Sequence, residues 1–160
     1  MNATFRRRFL LAPILAAVTF GALASAAHAQ EIVASGAGTL RQSYMFDFDR
    51  AREQQDGADA WFIAVDAQHM LLMPRNGATM SLQTSRPASR ATCVASALSA
   101  NPIALTPSTL EAFVCIRTDI RAIGYFKING VTGNTPTLTL SLSYWLWSAP
   151  LRGPDYAPLN

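Results

Sequence analysis

Hydrolysis through a nucleophile, a base and an orienting group needs a histidine or lysine beside a Ser, Thr or Cys. Past residue 29 the chain offers one histidine, His69, and one lysine, Lys127. His69 falls in the polar stretch Asp66-Ala67-Gln68-His69, which reads as a turn, so a solvated histidine is expected there. Cys93 and Cys115 are the only cysteines. In an oxidising compartment they are expected to join each other, closing a loop of about 23 residues worth roughly 3.4 kcal/mol on the chain-entropy model. A zinc site would need more Cys or His than the chain supplies. No catalytic constellation stands out, and an enzyme is not expected.

Two further groups could do chemistry. Asp47 and Asp49, with Asp59 downstream, form the one carboxylate cluster that could serve a glycosidase or hold Ca²⁺, a hard cation that takes several oxygen ligands. Their spacing matches no calcium loop, so they are weak metal candidates, and solvent-facing acids or turn caps are the expected reading. The other group is aromatic. In residues 137–147, Leu138, Leu140, Leu142, Tyr144 and Leu146 share one parity, whereas Trp145 and Trp147 share the other with Thr and Ser. Alternation of this kind buries one face of a strand, and it directs both indoles to the polar side. An exposed indole calls for a reason: such rings stack on sugars or anchor protein partners. The alternative is a second layer near the end of the strand that covers both rings. Trp61 opens an apolar strand and reads as core, with a lesser claim as a contact residue.

Those residues need elements to hold them, and the elements read as β. Residues 40–49 alternate, with Tyr44, Phe46 and Phe48 on one face and Met45, Asp47 and Asp49 on the other. Residues 50–58 read as a charged loop. Residues 60–65 and 70–73 read as strands, and Asn76-Gly77 supplies the positive φ angles of a tight hairpin before residues 79–82. Two consecutive hairpins are therefore expected. A short Ala-rich helix is expected over residues 89–98, carrying Cys93, followed by a proline-bearing connector at 102–110. Strands are then expected at 112–118, bearing Cys115, at 121–131, and at 137–147. The fold class is all-β: a single antiparallel β-sandwich or small barrel of about seven or eight strands, with one short helix and one disulfide.

The N-terminus bounds where the domain works. Arg6-Arg7-Arg8, an apolar run over residues 9–23 and the small residues Ala24-Ser25-Ala26-Ala27-His28-Ala29 have the order of a cleavable signal peptide, with cleavage expected after Ala29. The arginines also fit a twin-arginine pattern, although general secretion is preferred. The expected division is a leader at 1–29, an all-β domain at 30–149 and an irregular tail at 150–160. Removing the leader takes away Arg6, Arg7 and Arg8 and leaves ten basic residues against ten acidic ones. That neutral balance gives no general attraction to phosphate backbones or anionic lipid, so neither nucleic-acid binding nor membrane insertion after cleavage is expected. The expected location is periplasmic or secreted.

The succession Tyr44-Met45-Phe46-Asp47, Asp59-Ala60-Trp61, Pro74-Arg75-Asn76-Gly77-Ala78, Cys93, Cys115-Ile116-Arg117-Thr118 and Leu140-Ser141-Leu142-Ser143-Tyr144 ending at Trp147 resembles a family of small exported β modules of bacteria. The resemblance runs over residues 40–147. It departs at Ile120, where the family has a glycine before the arginine. The resemblance implies a recurring fold and supplies neither a catalytic residue nor a cofactor. The function expected is a non-enzymatic binding module contacting a protein or cell-envelope component through Trp145 and Trp147. Alternatives are a carbohydrate-binding module, with or without Ca²⁺, and a subunit of a surface assembly in which residues 31–40 add a strand to a neighbour.

Overall fold

The computed structural model describes residues 32–147. The expected leader at 1–29, its cleavage site and the expected tail at 150–160 therefore lie outside the described residues. Ten strands and one short helix follow one another: β1 (Ile32–Arg41), β2 (Met45–Asp47), β3 (Arg52–Glu53), β4 (Ala60–Ala64), β5 (Met70–Pro74), β6 (Thr79–Gln83), α1 (Arg90–Ala95), β7 (Ile103–Leu105), β8 (Phe113–Arg117), β9 (Ile123–Thr132) and β10 (Thr139–Trp147). They form two five-stranded antiparallel sheets. Sheet A has the order β1-β10-β9-β8-β6 and sheet B the order β3-β2-β4-β5-β7. Two separate sheets make a sandwich, which decides between the two architectures expected from the sequence.

Alternation builds the space between the sheets. Along β10 the even residues from Leu140 to Leu146 are buried, as the sequence pattern predicts. They meet Phe126 and Ile128 of β9, Val114 and Ile116 of β8, and, from sheet B, Phe46, Phe62, Leu72 and Leu105. Phe48 stacks on Phe126 with ring centroids 4.9 Å apart and meets Tyr144 edge-on at 6.0 Å. Each such fully buried aromatic or leucine side chain contributes about 1.5–3 kcal/mol.

Four readings of the sequence change. Residues 40–49 are two strands, because Ser43 takes φ 70° and turns the chain from sheet A to sheet B. Tyr44 is accordingly exposed, with the Arg41 guanidinium 3.8 Å above its ring. Residues 31–40, read as an arm, fold back in the part described: β1 pairs along β10 from Ile32↔Trp147 to Arg41↔Thr139. Asn76 and Gly77 do adopt φ 50° and 86°, and Ala78 N–H donates to the Arg75 carbonyl at 2.8 Å. Yet β5 pairs with β4 and β7, and β6 with β8, so this turn passes between sheets and is no hairpin. Lastly, the strands number ten, because the short β3 and β7 sit in segments read as a charged loop and a proline connector.

Candidate functional site

The two outer faces of the sandwich differ. On sheet A the outward-pointing residues Ser81, Cys115, Tyr125, Trp145 and Ser35 lie side by side across β6, β8, β9, β10 and β1. This face carries a second apolar layer of Cys93, Cys115, Ile123, Tyr125 and Trp147, with Leu98, Phe113 and Trp145 packed against it. The cover is the segment holding α1, whose N-terminus is capped by the Ser89 hydroxyl accepting from Thr92 N–H. A Cys93–Cys115 disulfide, with Cα atoms 5.2 Å apart, ties that helix to β8 beneath it. The helix and the bond both match the sequence reading.

This layer settles where the C-terminal tryptophans point. Trp147 is 5 % exposed, and its ring lies 5.2 Å from that of Tyr125. Trp145 is half-buried and stacks on Tyr125 at 4.9 Å, the rings 17° from parallel. The Arg86 guanidinium sits 5.4 Å from the Trp145 ring centroid, and its Nε donates to the Tyr125 hydroxyl at 2.9 Å. Parity placed both indoles on the outer face correctly. What it could not show is the covering segment: Trp147 packs within this layer, and Trp145 is half-buried against Tyr125 and Arg86.

Sheet B has no such cover among the described residues. Its outward positions are Met45, Trp61 and Met73, aligned across β2, β4 and β5, then Ile63, Leu71 and Ala104 across β4, β5 and β7. Leu71 and Ala104 are exposed, and the others are half-buried. Trp61, read as core, therefore belongs to this outer face. The Arg75 guanidinium lies 5.4 Å from its ring centroid.

At one end of the sandwich the three aspartates meet. Asp47, Asp49 and Asp59 each place an oxygen within 4.8 Å of the others'. Asp47 and Asp49 border a cavity of about 480 Å³ lined also by Arg50, Asp56, Gly57, Asp119 and Ile120. Contrary to the solvent-facing reading, Asp47 and Asp59 are buried. Asp59 does structural work with both oxygens: Oδ2 accepts from Phe48 N–H at 2.9 Å and Oδ1 from Asp119 N–H at 2.7 Å. Phe48 follows a strand of sheet B, and Asp119 sits between β8 and β9 of sheet A. One carboxylate thus clips the two sheets together. Asp47 caps its own turn, accepting from Arg50 N–H at 2.9 Å, from the Arg50 guanidinium at 3.2 Å and from the Gln54 amide.

Packing these acids together costs charge. Burial pushes the Asp59 carboxyl up to about 7, against two backbone N–H bonds that favour the anion, with the Asp49 and Asp119 charges adding to the rise. Burial likewise raises Asp49 to about 6, and its Oδ2 is enclosed without a hydrogen-bond partner. No spacing rule pointed to Asp119, which only the fold brings to Asp59.

The remaining candidates stay apart. His69 is exposed in the β4–β5 turn, where Asp66 Oδ1 accepts from the backbone N–H groups of Gln68 and His69. The His69 ring nitrogen lies 2.9 Å from the Asp66 carboxylate, which holds Asp66 below the ordinary carboxylate range. Lys127 pairs with Glu111. No helix among the described residues is long and apolar enough to cross a membrane. Comparison of the chain with protein-family models, with curated proteins and with solved structures yields no match.

Proposed function

We propose that the protein is an exported, non-enzymatic interaction module of the periplasm or the exterior, and that it meets a protein or cell-envelope partner through the outer face of sheet B. The observation that carries this reading is the contrast between the two faces. One carries a disulfide-tied helix, whereas the other has no covering helix among the described residues and leaves Leu71 exposed and Met45, Trp61, Ile63 and Met73 half-buried. A surface combining tryptophan, two methionines and an arginine has the composition of a contact centre, since aromatic residues, Met and Arg are enriched there and Lys and Glu depleted. Export is supported by the leader-like N-terminus and by the disulfide. The non-enzymatic reading is supported by the separation of His69 and Lys127, neither of which hydrogen-bonds a Ser, Thr or Cys among the described residues.

The test is capture from an envelope extract by the disulfide-bonded protein, compared with its Trp61→Ala and Leu71→Ser variants. Binding should fall in both variants and persist in Trp145→Ala. An unchanged captured set in the sheet B variants removes the reading. A second reading, a carbohydrate-binding module assisted by Ca²⁺, draws on Trp61 and on the convergence of Asp47, Asp49 and Asp59. Its marks are quenching of Trp61 by soluble glycans and a melting temperature that rises with Ca²⁺ and falls with a chelator.

A further inference from the structure

A sandwich has four sheet edges, and each exposes unpaired backbone groups unless something closes it. Three are closed here. The edge of β6 is occupied by Ser99, which exchanges backbone hydrogen bonds with Met80 at 2.8 and 2.9 Å. The β3 edge is two charged residues long, and the β7 edge is three residues long with its Ala104 carbonyl bonded to the Thr109 hydroxyl at 2.9 Å. Among the described residues nothing pairs with the outer edge of β1, which carries neither charge nor proline between residues 32 and 40.

Which groups that edge presents follows from its ends. Gln42 N–H donates to the Leu138 carbonyl at 2.7 Å and so points toward β10. Arg41 points the other way: its N–H donates to Glu53 Oε1 at 2.8 Å, and its carbonyl accepts from Tyr44 N–H at 2.9 Å. Backbone groups alternate along a strand, so Thr39, Ala37 and Ser35 turn their N–H and carbonyl groups outward. Arg41 closes one end of this row, and a register irregularity between Ile32 and Ala34 closes the other. The open stretch is therefore centred on Ala37. Its side chains are small on both faces, because the inward positions are Gly36 and Gly38, where a Cβ would come within 2.9 Å of the Tyr144 hydroxyl and 2.8 Å of the Phe46 ring.

The geometry points to β1 as the interface of a two-fold dimer, in which the β1 edges of two copies pair antiparallel with Ala37 opposite Ala37. Symmetry sets the occupant. A foreign strand would be selected by side-chain pockets beside the edge, and Ser35, Gly36, Ala37, Gly38 and Thr39 form none. A second copy needs no pocket, since an antiparallel strand centred on its own midpoint brings each outward residue against one that also points outward. Ser35 meets Thr39, Ala37 meets Ala37, and each pair exchanges two N–H···O bonds. The pairing opposes no like charges, because this register sets each Arg41 against Val33 of the second copy, and Arg41 is held by its own Glu53, at 2.9 Å through Nε. Residues 148–160 carry prolines at 150, 154 and 158 and are poor ladder partners for the same edge.

The experiment is sedimentation of the purified, disulfide-bonded protein from micromolar to millimolar concentration, with cysteine cross-linking to read the register. A concentration-dependent dimer is expected. Ala37→Lys, which sets two like charges face to face at an exposed position, should weaken it at least tenfold while leaving the melting temperature of the dilute monomer unchanged. Ala37→Cys should cross-link to itself on mild oxidation, because directly opposed residues in such a pair have Cα atoms about 5.5 Å apart. Ser35→Cys alone should not, whereas Ser35→Cys with Thr39→Cys should. A monomer across the whole range, a dimer that Ala37→Lys leaves intact, or equal cross-linking of Ala37→Cys and Ser35→Cys would each overturn the assignment.

Discussion

Replacing Asp59 with asparagine keeps the size of the side chain and removes its charge. Two effects of opposite sign result. Asp59 is wholly buried, and each carboxylate oxygen accepts one backbone N–H, from Phe48 and from Asp119. Asparagine keeps one acceptor and turns an amide NH₂ toward the other N–H. Leaving a buried donor unsatisfied costs about 1–3 kcal/mol. Against this, the native carboxyl has its pKa pushed up to about 7 from an unfolded value of 3.8. The folded state then holds its proton more tightly than the unfolded state does. The resulting stability is complete below pH 3.8 and is lost as pH rises through 7. Between pH 5 and pH 8 the loss amounts to about 3 kcal/mol, at 1.36 kcal/mol for each pH unit between 5 and 7. The native protein should therefore unfold at lower urea concentration at pH 8 than at pH 5. Asp59→Asn should be the less stable protein at pH 5, by about 1–3 kcal/mol, and should equal or exceed the native one at pH 8. Tryptophan fluorescence in urea, with the disulfide intact and a chelator present, measures both curves. A native protein that gains stability from pH 5 to pH 8 refutes the reasoning, as does an Asp59→Asn variant with the native slope.

Three further outcomes are expected. The double variant Cys93→Ala with Cys115→Ala should lose about 3 kcal/mol and shift tryptophan emission to the red as α1 loosens from Tyr125 and Trp147; calorimetry and emission spectra check this. Leu140→Ala in the centre of β10 should cost about 2–5 kcal/mol by chemical denaturation, whereas Ser141→Ala on the opposite face should stay within about 0.5 kcal/mol. Gly38→Ala should cost about 1–3 kcal/mol, because its Cβ would sit 2.8 Å from the Phe46 ring, and a thermal melt unchanged from native would contradict that contact.

The parts of the fold legible in the sequence are those where a single face is buried over many residues. The alternation of β10 names its inner residues correctly, and the Ser89-led helix and the Cys93–Cys115 bond stand where composition put them. What stays hidden is the pairing of distant segments. Sequence pattern shows that Asn76 and Gly77 turn, but the sheet that β6 joins is set by β8, more than thirty residues downstream. The same limit applies to the site. Asp59 and Asp119 come together only because two sheets are stacked, and Tyr125 and Trp147 on the outer face of sheet A are buried because the segment holding α1 packs over them. For β1 the sequence suggests only an arm that adds to a neighbour, because its Gly, Ala and Ser residues lack strand propensity and the large neighbours that require them small belong to β10 and β2.

The first strand described and the last lie against one another, from Ile32 beside Trp147 to Arg41 beside Thr139. Among the described residues β1 has no strand partner but β10, so it waits until the last strand of the domain arrives. Sheet A cannot close on a fragment, so any truncation that removes β10 should leave β1 without a strand partner and β9 unpaired on the edge away from β8. Such distant pairings also fold slowly, and an unpaired edge during that wait is the hazard this topology accepts in exchange for joining its first and last described strands.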